Sequence, residues 1–159
     1  MELSQIKNTE AYVTGFCDAE CCFSVAIKKN SSSRLGYRLD SLFQVTQHQE
    51  NEEVLHLIKE TIGTGKVKSK PGDNDLSILM VRNRQKILKY VIPYFEEHKL
   101  ITKSEDFQKF KEIVEKLDEG IHLDEEGLIH VIKLAYSMNM DGKQRRRDIN
   151  SLIENIGTE

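Results

Sequence analysis

The chain lacks the long apolar runs, the paired cysteines and the apolar leader that mark membrane and secreted proteins. None of its apolar runs approaches the roughly 20 residues that a membrane-spanning helix needs. Its first ten residues are polar and acidic, unlike the apolar core of a secretory signal or the Arg-rich composition of a transit peptide. We therefore expect an intracellular protein with no membrane partner, in a bacterial or archaeal cytoplasm or in an organelle matrix.

Cysteine is scarce, and its three copies, Cys17, Cys21 and Cys22, fall in one cluster. Because no second cluster exists for them to pair with, the spacing excludes a disulfide framework and the paired CxxC pattern of a zinc site. Buried, reduced thiols are the simplest interpretation.

Length and composition are sufficient for one folded domain, which we expect to span residues 1–159, because 38% of the residues are hydrophobic and 31% are charged.

The net charge of −3 is unusual for a nucleic-acid binder, but the charges are segregated along the sequence. Residues 63–89 carry seven Lys and Arg against two Asp, whereas residues 94–130 carry eleven acidic residues against five lysines. Because the field at a surface depends on where charges lie, this pattern favours a basic face backed by acidic helices. Ordinary solvated surface is the alternative.

Hydrophobic spacing predicts an α+β fold with an αββαββα core. In the second predicted strand Leu39, Phe43 and Val45 share one face, while Arg38 and its polar neighbours share the other. This alternation predicts a four-stranded antiparallel sheet with one polar face and one face backed by helices. The predicted elements are a helix over 9–20 capped by Asn8 or Thr9, strands at about 21–30 and 37–48, a helix over 50–62, strands at about 65–70 and 76–82, a helix begun by Asn83, and C-terminal helices within 102–156.

Local signals predict the boundaries of several later elements. Pro71 to Asn74 has the composition of a turn, and Pro93 is expected to end or bend the helix that contains it. Thr102 and Glu105 have the spacing of a capping box. The last two helices are predicted over Leu123–Met138 and Asp148–Ile156.

Two carboxylates, Asp18 and Glu20, lie at the end of the first predicted helix. The C-terminus of a helix carries partial negative charge, so acidic side chains there gather the negative potential that favours a divalent cation. Mg²⁺ takes oxygen ligands and commonly uses one or two protein carboxylates. On the same helix Gly15 and Ala19 are four residues apart, a spacing that allows a second helix to approach closely. A capped surface helix with a flexible glycine is the alternative.

The segment Tyr12–Phe23, which reads YVTGFCDAECCF, resembles the signature motif of the LAGLIDADG homing endonucleases. Further matches follow in the family's order, and together they extend from residue 9 to about residue 150. They are Leu42–Gln47, Ile62–Gly65, Leu100–Lys103 with Asp106 and Phe107, and Asn139–Arg147. Only one copy of the motif is present, so the resemblance implies the single-motif type, which works as a homodimer with a near-palindromic DNA target.

The resemblance also implies a catalytic set of Glu20, Gln47 and Lys103. Glu20 stands at the position that binds the catalytic Mg²⁺ or Mn²⁺, with Ala19 and Asp18 as further metal-binding positions. Gln47 stands where a polar residue orients water, and Lys103 where a basic residue lies beside the scissile phosphate. A bound metal and a nearby lysine would both stabilise the charge that develops during phosphodiester hydrolysis.

The same resemblance assigns the polar face of the sheet to the major groove of double-stranded DNA. Arg38 suits guanine, Gln44 suits adenine and Asp40 can accept from cytosine, while the lysines hold phosphates. The predicted DNA-binding residues are Ser24, Ala26, Lys28, Asn30, Arg38, Asp40, Gln44, Lys66, Lys68, Lys70, Asp75 and Ser77. The predicted dimer interface is Val13, Gly15, Phe16 and Ala19.

Two departures from the family pattern leave room for slow or lost cleavage. Cys21 replaces the usual glycine, and its bulk is expected beside the metal site and the partner helix; Ser104 stands where many relatives carry a basic residue. The leading hypothesis is a metal-dependent, sequence-specific DNA endonuclease encoded in an intron. The alternatives are an RNA maturase that binds its host intron through Lys143–Arg147, a non-cleaving DNA-binding regulator, and a protein–protein module.

Overall fold

A computed structural model describes residues 2–141, 145 and 147–158. The chain begins with a helix, two strands, a helix, two strands and a helix, which confirms the predicted αββαββα order. The strands are β1 (Cys21–Lys29), β2 (Tyr37–His48), β3 (Lys66–Lys70) and β4 (Asp73–Val81). The helices are α1 (Thr9–Glu20), α2 (Glu52–Ile62), α3 (Arg84–Lys86), α4 (Ile92–Glu97), α5 (Ser104–Asp118), α6 (Glu125–Tyr136), α7 (Met138–Asp141) and α8 (Ile149–Glu154). Within these ranges no helix is long and apolar enough to cross a membrane.

The strands form one sheet in the order β1-β2-β4-β3, in which β4 runs antiparallel to both β2 and β3. The pairing of β2 with β4 runs from Phe43 opposite Val81 to His48 opposite Leu76. Along β2, every second residue from Tyr37 to Val45 is buried and the residues between them are half-buried or exposed. This alternation confirms the predicted α+β class with a sheet that buries one face.

Contacts divide the chain into two compact units. Unit 1 comprises Met1–Cys22 and Leu42–Ser104, and unit 2 comprises Phe23–Ser41 and Glu105–Glu159. The divisions fall within β1, within β2 and after the first residue of α5. The expectation of one domain over residues 1–159 stays a prediction.

Each unit has its own aromatic and aliphatic core. In unit 1 the ring of Phe43 packs against that of Phe95, with centroids 5.7 Å apart. In unit 2 the ring of Phe23 lies 5.5 Å from that of Phe107 and 5.2 Å from that of Phe110. All five rings are almost fully buried, and burying one such side chain stabilises the folded state by roughly 1.5–3 kcal/mol.

The β3–β4 hairpin turns more tightly than the sequence suggested. Lys70 lies opposite Asp73, so only Pro71 and Gly72 connect the strands, and β4 begins at Asp73 rather than at residue 76. Gly72 has a φ of +83°, a conformation that glycine adopts without steric cost. The polar residues after it therefore pair as strand although their composition is typical of a turn.

Pro93 does not end the helical path that Asn83 starts. The side chain of Asn83 accepts the N–H of Lys86 at 3.0 Å, which confirms the predicted cap. A π-helical turn, Ile87–Val91, then leads into α4, and Pro93 lies in the first turn of that helix. The N–H of Ile92 donates to the oxygen of Ile87, five residues back, and this wider turn leads through Pro93 to Glu97 without a break.

The predicted capping box at the start of α5 does not form. The hydroxyl of Thr102 donates to the backbone oxygen of Asp18 at 2.8 Å, and the carboxylate of Glu105 pairs with Lys109 at 2.9 Å. Both side chains are engaged elsewhere, and α5 begins at Ser104. A tertiary contact has replaced the local hydrogen bonds that the sequence spacing favours.

The last helices are shorter than predicted, α6 starting after Asp124 and α8 after Asp148. Each aspartate caps its helix, by accepting the N–H of Gly127 at 2.7 Å and that of Ser151 at 3.1 Å respectively. These caps explain the start points, since an Asp at the N-cap satisfies one of the unpaired N–H groups of the first turn. Part of the family-like tail, Gly142, Lys143, Gln144 and Arg146, lies outside the described residues.

Asn139, at the start of that tail, anchors α7 within unit 2. Its φ of 51° lies in the left-handed region, which asparagine tolerates better than most residues. Its backbone N–H donates to Asp106 at 3.1 Å, and its side-chain amide donates to the backbone oxygen of Phe23 at 2.8 Å. The sequence matches at Asn139 and Asp106 are therefore explained by a structural contact.

Candidate functional site

The motif helix α1 ends at Glu20 and presents two different faces. Its start is capped by Asn8, whose side chain accepts the N–H of Ala11 at 2.9 Å, and not by Thr9, which is the first helical residue. Val13 and Cys17 are fully buried in unit 1. Glu20 is exposed at the C-terminus of the helix. The last carbonyl groups of a helix have no intrahelical partner and point outward beyond its end.

Asp18 anchors the segment that follows α4 to the end of α1. Its carboxylate accepts the backbone N–H groups of Ile101, Thr102 and Lys103 at 3.0, 3.0 and 3.1 Å. Desolvation raises the pKa of Asp18, but the hydrogen bonds from Thr102, Lys103 and Ile101 outweigh it and hold that pKa below its ordinary value. Both carboxylate oxygens are committed to the backbone, so the expectation that Asp18 ligates a metal is corrected to a structural role.

The hydrogen bonds to Asp18 position Lys103 at the C-terminus of α1, which carries partial negative charge. Its ammonium donates to the backbone oxygens of Asp18 at 2.9 Å and Ala19 at 2.8 Å. A cation at a helix C-terminus interacts favourably with the partial negative charge of the exposed carbonyl groups. The structure therefore brings together Lys103, Ala19 and the end of the helix at Glu20.

The donors at this helix end fit a hard divalent cation held with few protein ligands. Glu20 makes no hydrogen bond or ion pair within the described part of the chain, so its carboxylate is available. The Ala19 oxygen beside it already accepts a cationic group. No group of three or more His, Cys, Asp and Glu residues is placed to ligate a metal among the described residues. The chain thus offers one carboxylate and one carbonyl, and Mg²⁺ commonly keeps water and phosphate oxygens as its other ligands.

Cys21 turns inward and does not crowd this site. Its side chain is only 3% exposed, and burial raises the pKa of its thiol. Burial likewise raises the pKa of Cys17 to about 12, so both thiols stay protonated at neutral pH. No disulfide joins the three cysteines, all of which lie among the described residues, and Cys22 is half-buried. Burial is confirmed for Cys17 and Cys21, and the reduced state of the thiols stays a prediction. The expected bulk of Cys21 beside the metal site is wrong because the first residue of β1 faces the core.

Gln47 lies near the end of β2 and has only a local contact. It pairs in register with Ser77 and shares a sheet face with the buried Val45. Its side-chain oxygen accepts the N–H of His48 at 2.9 Å. Its amide N–H₂ group keeps its donors for another partner. The structure does not bring Gln47 into contact with Glu20, and its predicted role toward water stays a prediction.

The profile of a protein family described as LAGLIDADG endonuclease matches residues 13–114, which is more than half of the chain. The matched range contains α1 from Val13 onward, the whole sheet and the anchor at Asp18. The chain belongs to the LAGLIDADG endonuclease family. The resemblance inferred from the motif helix is thereby confirmed.

Relatives of this LAGLIDADG chain include DNA endonuclease I-CeuI of Chlamydomonas moewusii, which is 30% identical over 135 residues covering 82% of this chain and 62% of that protein. The match spans 62% of the length of I-CeuI and of the homing endonuclease I-ApeII of Aeropyrum pernix. Among solved structures, the archaeal intron-encoded homing endonuclease I-Vdi141I complexed with DNA has a TM-score of 0.85 at 35% identity, covering 92% of each chain. The meganuclease I-SmaMI bound to uncleavable DNA has a TM-score of 0.80 at 25% identity, covering 86% of this chain and 47% of that one.

One of the predicted DNA-binding residues of this LAGLIDADG chain, Ser77, lies on the buried face of the sheet. Ser77 is fully buried, and its hydroxyl donates to the carboxylate of Glu52 in α2. That hydrogen bond is the main cause of a lowered pKa at Glu52. Ser77 pairs with Gln47 and so lies on the helix-covered face of the sheet. The placement of Ser77 at the DNA is therefore wrong. The strand starts at Asp73, and its pairing with β3 shifts register between Ser69 and Lys70, so simple alternation does not put Ser77 on the polar face.

In unit 2 the polar face carries an ionic cluster centred on Asp40. Its carboxylate lies 2.8 Å from the ammonium of Lys28 and 2.9 Å from the guanidinium of Arg38. Desolvation raises the pKa of Asp40, but the hydrogen bonds from Lys28 and Arg38 outweigh it and lower that pKa. Ser24 and Ala26 lie on the same face, half-buried and exposed respectively. These residues present polar groups in a fixed arrangement on one side of the β1–β2 hairpin.

Asn30 is engaged in the loop that closes this hairpin. Its backbone N–H donates to the oxygen of Gly36 at 2.9 Å, and its side-chain oxygen accepts the N–H of Ser32 at 3.1 Å. An asparagine side chain that accepts the backbone N–H of the residue two positions later stabilises a tight turn.

In unit 1 the polar face carries a basic cleft that sequence reasoning found only in part. The cleft has a volume of about 260 Å³ and includes four cationic side chains and no acidic one. Lys66 and Lys68 were predicted from the alternation of β3, whereas Arg82 and Lys86 were missed because they follow the strand. The lining residues are Thr64, Gly65, Lys66, Lys68, Met80, Val81, Arg82, Asn83 and Lys86.

The remaining predicted contacts of unit 1 extend the same surface. Gln44 lies opposite Met80, which lies opposite Lys66, so the three side chains share the polar face of the sheet. Lys70 is half-buried and Asp75 is exposed at the tip of the β3–β4 hairpin.

The exposed face of α1 forms an apolar stripe at positions 12, 15, 16 and 19. Gly15 and Ala19 are exposed, Phe16 is half-buried and Tyr12 is 36% exposed. A Cβ atom added to Gly15 would meet nothing within 4 Å, so the surface there is open. Val13 does not belong to the stripe, because it is buried in its own unit, and its predicted place in a dimer interface is corrected. Tyr12 lies beside Phe16 on this stripe, with ring centroids 6.1 Å apart, as helical periodicity predicts.

Proposed function

We propose that this chain is the subunit of a homodimeric, site-specific DNA endonuclease that depends on a divalent metal and makes double-strand breaks, as an intron-encoded homing endonuclease does. The observation that carries the proposal is the end of α1, where a free Glu20 carboxylate lies next to the Ala19 oxygen and the anchored Lys103. Relatives at 30% identity and above are named as a DNA endonuclease or as homing endonucleases, and one of them has been solved with DNA.

The proposal gives each residue of this site a role that suits its chemistry. Glu20 and the backbone oxygen of Ala19 would hold the cation. Bound Mg²⁺ or Mn²⁺ supplies a water of lowered pKa and stabilises charge on phosphate oxygens. Lys103 contributes a permanent positive charge that can reach the phosphate, and Gln47 would orient the attacking water. Asp18 is a positioning residue that acts through the backbone of Lys103.

A second copy of the chain completes the enzyme. Cleavage of two strands needs two acidic sites, and each chain supplies one motif helix with one Glu20. The open stripe around Gly15 allows two α1 helices to approach closely about a twofold axis. The chain also covers only 47% of I-SmaMI, so two copies match the length of that relative. The twofold symmetry predicts a near-palindromic target.

The polar faces of the two units supply the DNA contacts. In unit 2, Arg38 and Asp40 are the groups best suited to reading base edges, since their ion pair fixes both side chains in place. In unit 1, the basic cleft around Lys66 and Lys86 suits a backbone phosphate, because it concentrates positive charge without a carboxylate. The proposed DNA contacts are Ser24, Ala26, Lys28, Asn30, Arg38, Asp40, Gln44, Lys66, Lys68, Lys70 and Asp75, with Arg82 and Lys86 added.

The assignment of the cleft to phosphate predicts a specific salt effect. Replacing Lys86 with methionine should lower the slope of log affinity against log salt concentration by about 1 and weaken binding equally for all target sequences. The matched control is Lys133→Met on the exposed face of α6, which should leave the slope unchanged. A loss confined to particular base substitutions would instead assign Lys86 to base reading. Fluorescence anisotropy across a salt series measures both quantities.

Selection of cleaved sites from a randomised palindromic DNA library tests the function as a whole. In Mg²⁺ we expect one long, near-palindromic site cut on both strands, and no product in excess EDTA. Specific binding without cleavage in Mg²⁺ and in Mn²⁺ would identify a DNA-binding regulator instead. Binding to the host intron RNA that the DNA site cannot compete away would identify a maturase.

A further inference from the structure

Lys103 occupies an oxygen that the proposed metal also needs. Its ammonium donates to the Ala19 oxygen at 2.8 Å, and Ala19 precedes Glu20 directly. Cys21, the residue after the helix, donates its own N–H to Cys17, which leaves the oxygens of Asp18 and Ala19 for other donors. Lys103 therefore serves as the counter-ion of the helix end in the metal-free chain.

We propose that the Lys103 ammonium and the divalent metal exchange at the Ala19 oxygen. Two cations that share one oxygen repel each other strongly at such short range. Metal entry therefore displaces the ammonium, which becomes available to a phosphate oxygen only once the metal is in place. This inference rests on the proposed function, because it takes Glu20 as the metal-binding carboxylate.

The local architecture restricts this exchange to the Lys103 side chain. The backbone of residues 101–103 is tied to the Asp18 carboxylate by three hydrogen bonds, and the Thr102 hydroxyl adds a fourth contact to the Asp18 oxygen. None of these contacts involves the ammonium. The lysine stem, half-buried at the start of α5, is the flexible part. The anchor keeps the amine close to the site in both positions.

Metal affinity of the DNA-free protein tests the exchange without reference to cleavage. Titration with Mn²⁺, followed by electron paramagnetic resonance of the free ion, should show Lys103→Met binding about ten-fold more tightly than the native chain, because the competing charge is gone. Lys103→Arg keeps the charge and should stay within about two-fold of the native affinity. The matched control Lys99→Met removes a charge from an exposed nearby position that does not bond the helix end, and should also change affinity by less than about two-fold.

A measurement on the native chain covers the case in which a variant fails to fold. The ¹³C and ¹H shifts of the Lys103 ε-methylene should move with Mg²⁺ occupancy, while the amide shifts of residues 101–103 stay nearly constant. Mn²⁺ binding by Lys103→Met that is no tighter than native, with unmoved ε-methylene shifts, would overturn the exchange. If Glu20→Gln binds Mn²⁺ as well as the native chain does, the metal site itself is misplaced, which is a separate failure.

Discussion

Replacing Glu20 with glutamine is expected to lower the rate of DNA cleavage by about a thousand-fold or more while leaving DNA affinity within a few-fold. Glutamine keeps the size of the side chain but removes the charge that holds the cation. Because the residue is exposed and makes no contact within the described part of the chain, the substitution should not alter stability. Single-turnover cleavage and a binding assay in Ca²⁺ separate the two effects.

Glu10 provides the matched control for this experiment. It is an exposed glutamate on the same helix at the opposite end, and only its backbone oxygen takes part in hydrogen bonds with Thr14 and Tyr94. Glu10→Gln should cleave at the native rate. Equal cleavage by Glu20→Gln and native protein would show that the metal is held elsewhere.

Replacing Gly15 with leucine is expected to raise the dissociation constant of the dimer by about a hundred-fold, since overpacking at a close helix contact costs up to about 3 kcal/mol. The chain itself should fold normally, because a side chain at Gly15 meets no atom of its own chain within 4 Å. Cleavage should fall in step with dimer concentration. Sedimentation of the protein alone and on its DNA target measures the number of copies bound.

The smaller substitution Gly15→Ala distinguishes an effect on the dimer interface from an effect on the stability of the single chain. Alanine in a helix interior should stabilise the isolated chain by about 0.5–1 kcal/mol relative to glycine. The same methyl group should weaken the contact between two α1 helices. A monomer that becomes more stable in urea while its dimer becomes weaker is the expected combination. A dimer unaffected by both Gly15→Ala and Gly15→Leu would place the interface on another surface.

The elements predicted best are those with strong local patterns. The bounds of α1 and β2 agree with the predicted helix over 9–20 and strand over 37–48. In β2 the alternation of apolar and polar residues can be satisfied only by a strand with one buried face. Gly63, with a φ of +97°, ends α2 as its position after the apolar set predicted.

Three of the predictions that were wrong concern side chains whose surroundings come from segments distant in the sequence. Thr102 matched a capping box but bonds Asp18, more than 80 residues away in the chain. Ser77 matched a polar strand position but bonds Glu52 under the sheet. Val13 matched the motif face but packs into its own core. In each case the residue spacing predicted the correct helix or strand but the wrong face or the wrong hydrogen-bond partner for the side chain.

The sequence by itself determined the family, the αββαββα order and the position of Glu20 at a helix end, because these depend on patterns local to one or two elements. Only the tertiary structure decided what the neighbouring residues do. It assigned Asp18 to the backbone of residues 101–103, brought the Lys103 ammonium to the Ala19 oxygen and added Arg82 and Lys86 to the basic cleft. The physical reason is that a hydrogen bond or ion pair between distant segments depends on distances that no local periodicity encodes.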